Sequence, residues 1–418
     1  MYSGILVFVA TYLLISARRL GWVHVDRPGG ALLGAVAVVL VGDLTPDAAL
    51  AAIDGHTIML LFGMMGMGAF LASEGFFQTA GIAVSAWART RHRLLGVVIW
   101  GTGFLSGLIT NDAACVLGAP LLIGIIERHK LPALPFLLAI ATSANTGSVA
   151  TLVGNPQNML CAKLGGLEFF PHLLQMTPIA IFGLAINHGV LAWMFRKELR
   201  GEIANPAQRE NPGIADSETQ ELPQVLTPGV LTVFAVLFGT VVLYCIGSDL
   251  AWTSVGGCAA LLLLRRPKQS EMLWQHIDGS ILLFFAGLFV VVEGFVQSGA
   301  TVWFFDRFPL SYFDQPGGIW GLSTLFLFGS NIVSNVPFII VVRDQMATLL
   351  DPQQAWTLLA MASTLAGNLT LLGSVANIIV AEKARHIGGI GFWDHARVGI
   401  PITLATTAVG ILWLVLIH

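Results

Sequence analysis

The stretch SGLITNDAACVLGAP (106–120) sets three polar residues, Thr110, Asn111 and Asp112, in the middle of an apolar segment. The rest of the chain is also apolar: 55% of its 418 residues are hydrophobic and 11% are charged, where soluble domains carry about a quarter. Apolar runs typical of membrane helices, which take about 20 residues, cover 3–17, 173–195, 226–245 and 398–417. The composition therefore predicts an all-α integral membrane protein with a polar break at membrane depth.

The basic residues predict how the chain is oriented. Of the 21 Lys and Arg, all except Lys163, Arg307 and Arg343 fall in clusters at the ends of apolar segments. The clusters lie near 18–27, 89–93, 128–130, 196–209, 265–268 and 383–397. Loops rich in Lys and Arg face the cytoplasm. We therefore expect a multi-pass protein of the cell's inner (cytoplasmic) membrane, with the N-terminus outside and the polar segment 197–225 as a cytoplasmic linker.

The opening stretch lies between two clusters that must share one side of the membrane. Residues 94–126 are too few for two full crossings with a turn between them. We therefore expect a re-entrant hairpin that enters from the cytoplasm and turns back at Thr110-Asn111-Asp112. A broken backbone at that depth is tolerated only where protein or a watery cavity surrounds it.

The sequence also repeats itself. The aligned segments are 53–75 with 277–299, at an offset of 224, and 151–158 with 370–377, at an offset of 219. The first offset continues into the hairpin, where it pairs Thr110 with Ser334 and Asn111 with Asn335. Because the charge clusters orient the two copies oppositely, we expect an inverted-topology repeat, a plan typical of secondary transporters whose site lies at the repeat interface.

This plan predicts about ten membrane-crossing helices and two re-entrant hairpins. Its predicted parts are a first repeat (1–196), the linker (197–225), a second, inverted repeat (226–418), hairpins at about 94–126 and 317–345, and broken helices at about 133–168 and 354–381.

The two hairpin tips carry equivalent polar groups. Ser106 and Thr110 are four residues apart, so their hydroxyls share one helical face that leads to Asn111. The second copy is Ser330, Ser334 and Asn335. Hydroxyls, amide oxygens and unwound carbonyls suit Na⁺, and half-helix N-termini suit an anion, so we expect these residues to lie at coupling-ion sites for Na⁺ or H⁺. The alternative is that the hydroxyls bond back to carbonyls one turn earlier and only ease a kink.

Asp112 has no twin, because Val336 occupies the equivalent position. A carboxylate at membrane depth is costly, which makes Asp112 a candidate proton carrier or cation ligand. A compatible alternative is that it caps the second hairpin arm by accepting N–H bonds.

The broken helices supply further candidates. Asn158 and Asn377 end the two breaks, and each either pins its loop or contacts substrate. Together with the tips, the predicted substrate contacts are Asn111, Asp112, Asn145, Thr146, Asn155, Asn158, Asn335, Asn368, Thr370, Ser374 and Asn377.

In these motifs the sequence resembles the ion transporter superfamily, which includes arsenite-efflux permeases, NhaD-type antiporters, the P protein, citrate transporters and divalent anion/Na⁺ symporters. The resemblance covers essentially the whole chain and is most specific at Ser106–Asp112, Thr151–Asn158, Ser334–Pro337 and Gly367–Asn377. Dicarboxylate symporters carry Ser-Asn-Thr in both hairpins, whereas the "ND" and "NVP" versions here look more like the arsenite permease and antiporter branches. The resemblance implies a scaffold domain and a transport domain that carries the site across by an elevator-like motion.

We therefore expect a secondary active transporter of a small inorganic or organic anion or oxyacid, arsenite-like or carboxylate in class, coupled to H⁺ or Na⁺. The rival function is a cation/proton antiporter in which Asp112 carries the exchanged charge. No Lys or Arg is predicted at the hairpin tips, which favours small or weakly charged substrates. The chain is not expected to be an enzyme, because its sequence holds no GxSxG, HExxH or paired aspartates.

The expected partners are the small ion and the lipid bilayer, with no nucleic acid, and a homodimer through the scaffold domain is compatible with the plan. No cofactor is expected beyond the coupling ion. The four cysteines have no CxxC spacing and sit in apolar context, so we expect packing roles rather than a transition-metal site.

Overall fold

The computed structural model describes residues 2–16, 26–203, 224–264, 274 and 277–417. Most of the predicted linker 197–225 lies outside the described residues, as do the basic residues at 18–19 and 265–268. The described part of the chain folds into α-helices with short connections, and the predicted all-α class is confirmed.

The helices of the first half are α1 (Tyr2–Ser16), α2 (Arg27–Val41), α3 (Pro46–Ala52), α4 (Gly55–Ser73), α5 (Phe76–Trp87), α6 (Arg91–Ile109), α7 (Asn111–His129), α8 (Ala133–Ser148), α9 (Pro156–Gly165) and α10 (Phe169–Met194). Those of the second half are α11 (Pro228–Cys245), α12 (Leu250–Leu264), α13 (Gly279–Gln297), α14 (Ala300–Phe305), α15 (Gly318–Val333), α16 (Asn335–Met346), α17 (Pro352–Ala366), α18 (Val375–Lys383) and α19 (Phe392–Ile417).

Six of the described helices are long and apolar enough to cross a membrane: α4, α6, α10, α11, α13 and α19. Four shorter apolar helices are α1, α2, α12 and α15. Their number and apolar character fit a multi-pass membrane protein. How many helices cross completely, and whether the hairpins are re-entrant, stay predictions.

The chain turns sharply at the tips of both predicted hairpins. One residue, Thr110, separates α6 from α7, and one residue, Ser334, separates α15 from α16. Their φ angles are 117° and 75°, a region that residues with a Cβ rarely adopt. Lys130 is the one further non-glycine residue of the described chain with a positive φ. Equivalent strained turns therefore occur at positions 224 residues apart.

Two further helices are interrupted. An irregular segment (149–155) joins α8 to α9, and a segment at 367–374 with one short 3₁₀ turn joins α17 to α18. Pro156 begins α9, where a missing N–H costs no helical hydrogen bond. The two interrupted segments lie beside the two hairpin tips: the backbone N–H of Asn111 donates to the Gly154 carbonyl, and the Asn335 side chain donates to the Gly373 carbonyl.

The helices contact one another in two groups. In the first, α1, α2 and α13 pack together and α12 packs against α4 and α11. In the second, hairpin arms α6 and α7 pack on α8, arms α15 and α16 pack on α17, and α10 packs on α19. Gly147 of α8 lies against the backbone of Gly103 in α6, where a Cβ would overlap it. Contacts of α4 with α9 and of α13 with α16 join the groups.

Candidate functional site

The hairpin tips and the breaks enclose a cavity of about 230 Å³, here called the central cavity. Its polar lining is Tyr12, Arg27, Asn111, Asp112, Gln157, Asn331, Ser334, Asn335, Thr370 and Ser374. An adjoining vestibule of about 510 Å³ shares Ile15, Arg27, Phe284 and Val375 with its wall. The vestibule is also lined by the charged residues Asp26, Asp278, Glu382 and Arg385.

The first tip is held by its own side chains and by the neighbouring break. Thr110 caps α7 by accepting a hydrogen bond from the Ala113 amide (3.2 Å). The Asn111 side-chain oxygen accepts a hydrogen bond from the backbone N–H of Asp112 (2.8 Å), and the backbone N–H of Asn111 donates to the Gly154 carbonyl (2.8 Å). The cap of the second arm is therefore Thr110 rather than Asp112, and the tip is fixed to the α8–α9 break.

Asp112 is buried, with 4% of its surface exposed, and lines the central cavity. Its Oδ1 atom has no hydrogen-bond partner among the described residues. Buried polar atoms almost always have a partner, and leaving a carboxylate oxygen buried without one is costly. A proton, a cation or a hydrogen-bond donor on a bound molecule would satisfy this atom.

The second tip offers another unpartnered acceptor. Asn335 donates through Nδ2 to the Gly373 carbonyl (3.3 Å), but its Oδ1 atom has no partner in the described part of the chain. Ser334 lines the cavity beside it, and no side-chain hydrogen bond from Ser334 caps α16. The hydroxyl of Ser330, one turn earlier, is buried and likewise lacks a described partner. The second tip is thus less saturated with hydrogen bonds than the first.

Asn145 makes the central hydrogen bonds of a network of buried amide side chains behind the cavity. Its Oδ1 atom accepts hydrogen bonds from Asn111 Nδ2 (3.0 Å) and Ser374 Oγ (2.9 Å). Its Nδ2 group donates to the Oδ1 atoms of Asn368 and Asn377, each at 3.0 Å. One fully satisfied side chain therefore ties the first tip to the interrupted segment of the second half.

Asn158 and Asn377 play matching roles in the two breaks. Asn158 donates to the carbonyls ten and seven residues before it, at 3.3 and 3.0 Å. Asn377 does the same at 2.7 and 3.2 Å. Asn158 accepts from Thr364 Oγ1 (2.8 Å) and Asn377 accepts from Asn145, and these two donors are themselves 219 residues apart. Both asparagines pin their loops.

The remaining candidates also belong to the network. Asn155 donates to Ser148 Oγ (2.9 Å) and Thr364 Oγ1 (3.1 Å), and Thr146 accepts from Asn368 (3.0 Å). Ser106 bonds back to the Gly103 carbonyl (3.0 Å), as the kink alternative anticipates. Of the predicted site residues, those that line the cavity are Asn111, Asp112, Ser334, Asn335, Thr370 and Ser374. Those placed in or behind the surrounding packing are Ser106, Thr110, Asn145, Thr146, Asn155, Asn158, Ser330, Asn368 and Asn377.

Four polar residues of the cavity lining are not among the predicted site residues: Tyr12, Arg27, Gln157 and Asn331. Tyr12 and Arg27 come from α1 and α2, far from any polar motif, and Gln157 stands between asparagines that dominate its motif. In the sequence, Arg27 is only one member of a basic cluster. No positive charge is predicted at the hairpin tips, yet Arg27 brings one to the cavity wall from another helix.

Two ion pairs join the helix groups away from the vestibule. Lys163 in α9 contacts Asp54, which caps α4, at 2.7 Å. Arg343 in α16 makes a two-pronged contact with Glu293 in α13, at 2.9 and 3.3 Å. Glu293 lies 15 residues along α13 from Asp278 of the vestibule, which is about 22 Å in a helix.

Comparison with known proteins identifies the family. The family model described as "Citrate transporter" (CitMHS) matches residues 12–366. The chain belongs to the citrate transporter family. The silicon efflux transporter of Oryza sativa subsp. japonica is 32% identical, over 98% of this chain and 96% of that protein. The putative transporter arsB of Dictyostelium discoideum is 27% identical, over 100% of this chain and 92% of that protein.

A solved structure shares the fold. The YdaH transporter of Alcanivorax borkumensis superposes with a TM-score of 0.50 at 16% identity, covering 99% of this chain and 96% of that one. The expected membership of a transporter family is confirmed, and the chain is a multi-pass membrane protein of a family of transporters for ions or small molecules.

Proposed function

We propose that this chain is a secondary active transporter of a small oxyacid, coupled to H⁺ or Na⁺ through Asp112. The observation that carries the proposal is the unpartnered, buried Asp112 oxygen in a cavity between two hairpin tips. A carboxylate of this kind exchanges protons or cations in many transporters, because it is stable only when a positive charge or a proton accompanies it. No resident cofactor or transition metal is part of the proposal.

The cavity favours a small substrate of low charge. Its volume of about 230 Å³ is below the roughly 300–1,000 Å³ of pockets for drug-sized ligands. Its two formally charged lining residues, Asp112 and Arg27, carry opposite signs. The names of the two relatives, a silicon efflux transporter and an arsB transporter, agree with silicic and arsenous acids as the substrate class.

Orientation and mechanism belong to the same proposal. The vestibule is lined by Arg27 and Arg385, both members of predicted cytoplasmic clusters. We therefore place its opening on the cytoplasmic side of the cell's inner membrane. Helices α6–α10 and α15–α19 would form the transport domain, and α1, α2, α4 and α11–α13 the scaffold. In an elevator-like motion, the two ion pairs would close the outer face and break when the site turns outward.

Neutralising these pairs should ease outward opening. The probe is a Ser334→Cys substitution in a Cys245→Ser background, labelled from outside by a membrane-impermeant thiol reagent. We expect the double substitution Asp54→Asn with Glu293→Gln to accelerate this labelling by about threefold or more. Asn keeps the α4 cap, so the fold should survive. The matched control is Asp249→Ser, which breaks the 3.9 Å His56–Asp249 contact within the scaffold and should leave labelling unchanged. Equal labelling rates in all variants would contradict the proposal that the two ion pairs close the outer face.

Transport itself is tested with purified protein in liposomes. We expect saturable uptake of silicic and arsenous acids that is accelerated by either a proton gradient or a Na⁺ gradient, whichever ion couples. Liposomes without protein give the passive rate. An uptake rate that changes with neither gradient would contradict secondary active transport.

The same liposomes distinguish the rival function. A cation/proton antiporter would change the internal pH when Na⁺ is added without any oxyacid, and it would not take up oxyacid. If both results were found, the proposed function would be a cation/proton antiporter and not an oxyacid transporter.

A further inference from the structure

We infer that Gln157 is a substrate-contacting residue that selects oxyacids by the number of hydroxyl groups they present. This inference rests on the proposed function and adds the specificity determinant of its site. Gln157 follows Pro156 at the start of α9, and it lines the central cavity with Asp112 and Asn335.

Gln157 is a buried residue whose side-chain amide has no hydrogen-bond partner in the described part of the chain. Only 5% of the residue's surface is exposed, yet its side chain makes no hydrogen bond to any of the described residues. Its neighbours differ: the side chains of Asn155 and Asn158 are both bonded to surrounding loops. The Gln157 amide is not among the fully enclosed unpartnered atoms, so it opens on the central cavity that the residue lines. It is therefore available to a molecule bound there.

Gln157 stands in one repeat only. The residue 219 positions later is Ala376, which is buried in an apolar cluster. Asp112 is asymmetric in the same way, since Val336 takes its place at the other tip. Asn158 and Asn377, which pin the two breaks, are duplicated, whereas these two cavity residues are not. The lining of the cavity therefore differs between the two repeats at these positions.

The three groups form a definite hydrogen-bonding pattern. Asp112 Oδ1 and Asn335 Oδ1 are unpartnered acceptors, and each can receive one hydroxyl of a ligand. The Gln157 amide adds an N–H donor for a third ligand oxygen. A protonated oxyacid with three or more hydroxyls fills all three positions. A ligand with two hydroxyls must use one oxygen both to donate to an acceptor and to accept from Gln157, and we expect this poorer geometry to cost about tenfold in affinity.

Silanols provide a matched ligand series for the test. Silicic acid, methylsilanetriol, dimethylsilanediol and trimethylsilanol carry four, three, two and one hydroxyls at one central atom. Each is added as a competitor of labelled germanic acid uptake into proteoliposomes of the wild type, Gln157→Leu and Gln157→Asn. The control is Gln353→Leu, at the exposed start of α17.

In the wild type we expect the triol to compete roughly ten times better than the diol. In Gln157→Leu this ratio should fall to near one, and the KM for germanic acid should rise roughly tenfold, with the maximal rate within about twofold and the gradient dependence unchanged. Gln157→Asn should recover part of the ratio. Thermal unfolding should be unaffected, because no internal hydrogen bond is lost.

A wild-type ratio of ten that persists in Gln157→Leu would overturn the role of Gln157 and leave the transporter proposal standing. A wild type that takes up no germanic, silicic or arsenous acid would instead overturn the proposed function.

Discussion

Asp112→Asn is expected to reduce gradient-driven oxyacid uptake by at least about 100-fold, which corresponds to about 2.7 kcal/mol. The amide has nearly the same shape but cannot take up a proton or bind a cation by charge, so the carrier loses its coupling group. Asp112→Glu keeps the charge and should retain part of the activity. Uptake into proteoliposomes, with and without the coupling gradient, measures both.

The fold should survive this change. No hydrogen bond to Asp112 Oδ1 is lost within the described chain, and Thr110 continues to cap α7. A matched control is Asp278→Asn in the vestibule, where Asn keeps the α13 cap and uptake should change by no more than a few fold. If Asp112→Asn transports at the wild-type rate with the wild-type gradient dependence, Asp112 has no part in coupling.

Asn145→Leu is expected to give the largest loss of stability. It removes one hydrogen-bond partner each from Asn111, Ser374, Asn368 and Asn377, all buried. Partial rearrangement leaves an expected cost of about 4 kcal/mol. The midpoint of thermal unfolding in detergent should therefore fall by roughly 5 °C.

Asn187→Leu is the matched control for this substitution. Among the described residues, the Asn187 side chain bonds to Thr142 alone, and Thr142 keeps its bond to the Leu138 carbonyl, so we expect a loss of about 1 kcal/mol. A stable Asn145→Leu variant with altered KM would show that Asn145 contacts substrate, as the sequence suggested, rather than holding the network together.

The polar breaks were readable from the sequence because polar and glycine residues are costly inside apolar membrane segments and therefore mark an interruption of the helix. Both strained tips, at Thr110 and Ser334, fall where the internal repeat placed them. The family also followed from these motifs, and the match over residues 12–366 confirms it. The repeat boundaries, the linker and the two-domain division remain predictions.

The sequence could not predict which polar residues bond to other parts of the protein and which face the cavity. Asn145 and Gln157 are both amide residues buried near a break. The side chain of Asn145 is fully hydrogen-bonded, whereas that of Gln157 bonds to none of the residues that the structure describes. That difference depends on which side chains cross from the other repeat, over 200 residues away in sequence. Arg27 was missed for a related reason: its position on the cavity wall depends on how α2 packs beside α13.

Oxyacid is expected to bind between the two hairpin tips, where anomalous X-ray scattering can locate it. Crystals of the purified protein would be grown with germanic acid, an analogue of silicic acid, and measured at the germanium absorption edge. We predict one strong germanium peak in the central cavity, within hydrogen-bonding reach of Asp112, Gln157 and Asn335. A fully occupied peak elsewhere, with none in this cavity, would show that oxyacid does not bind between the hairpin tips.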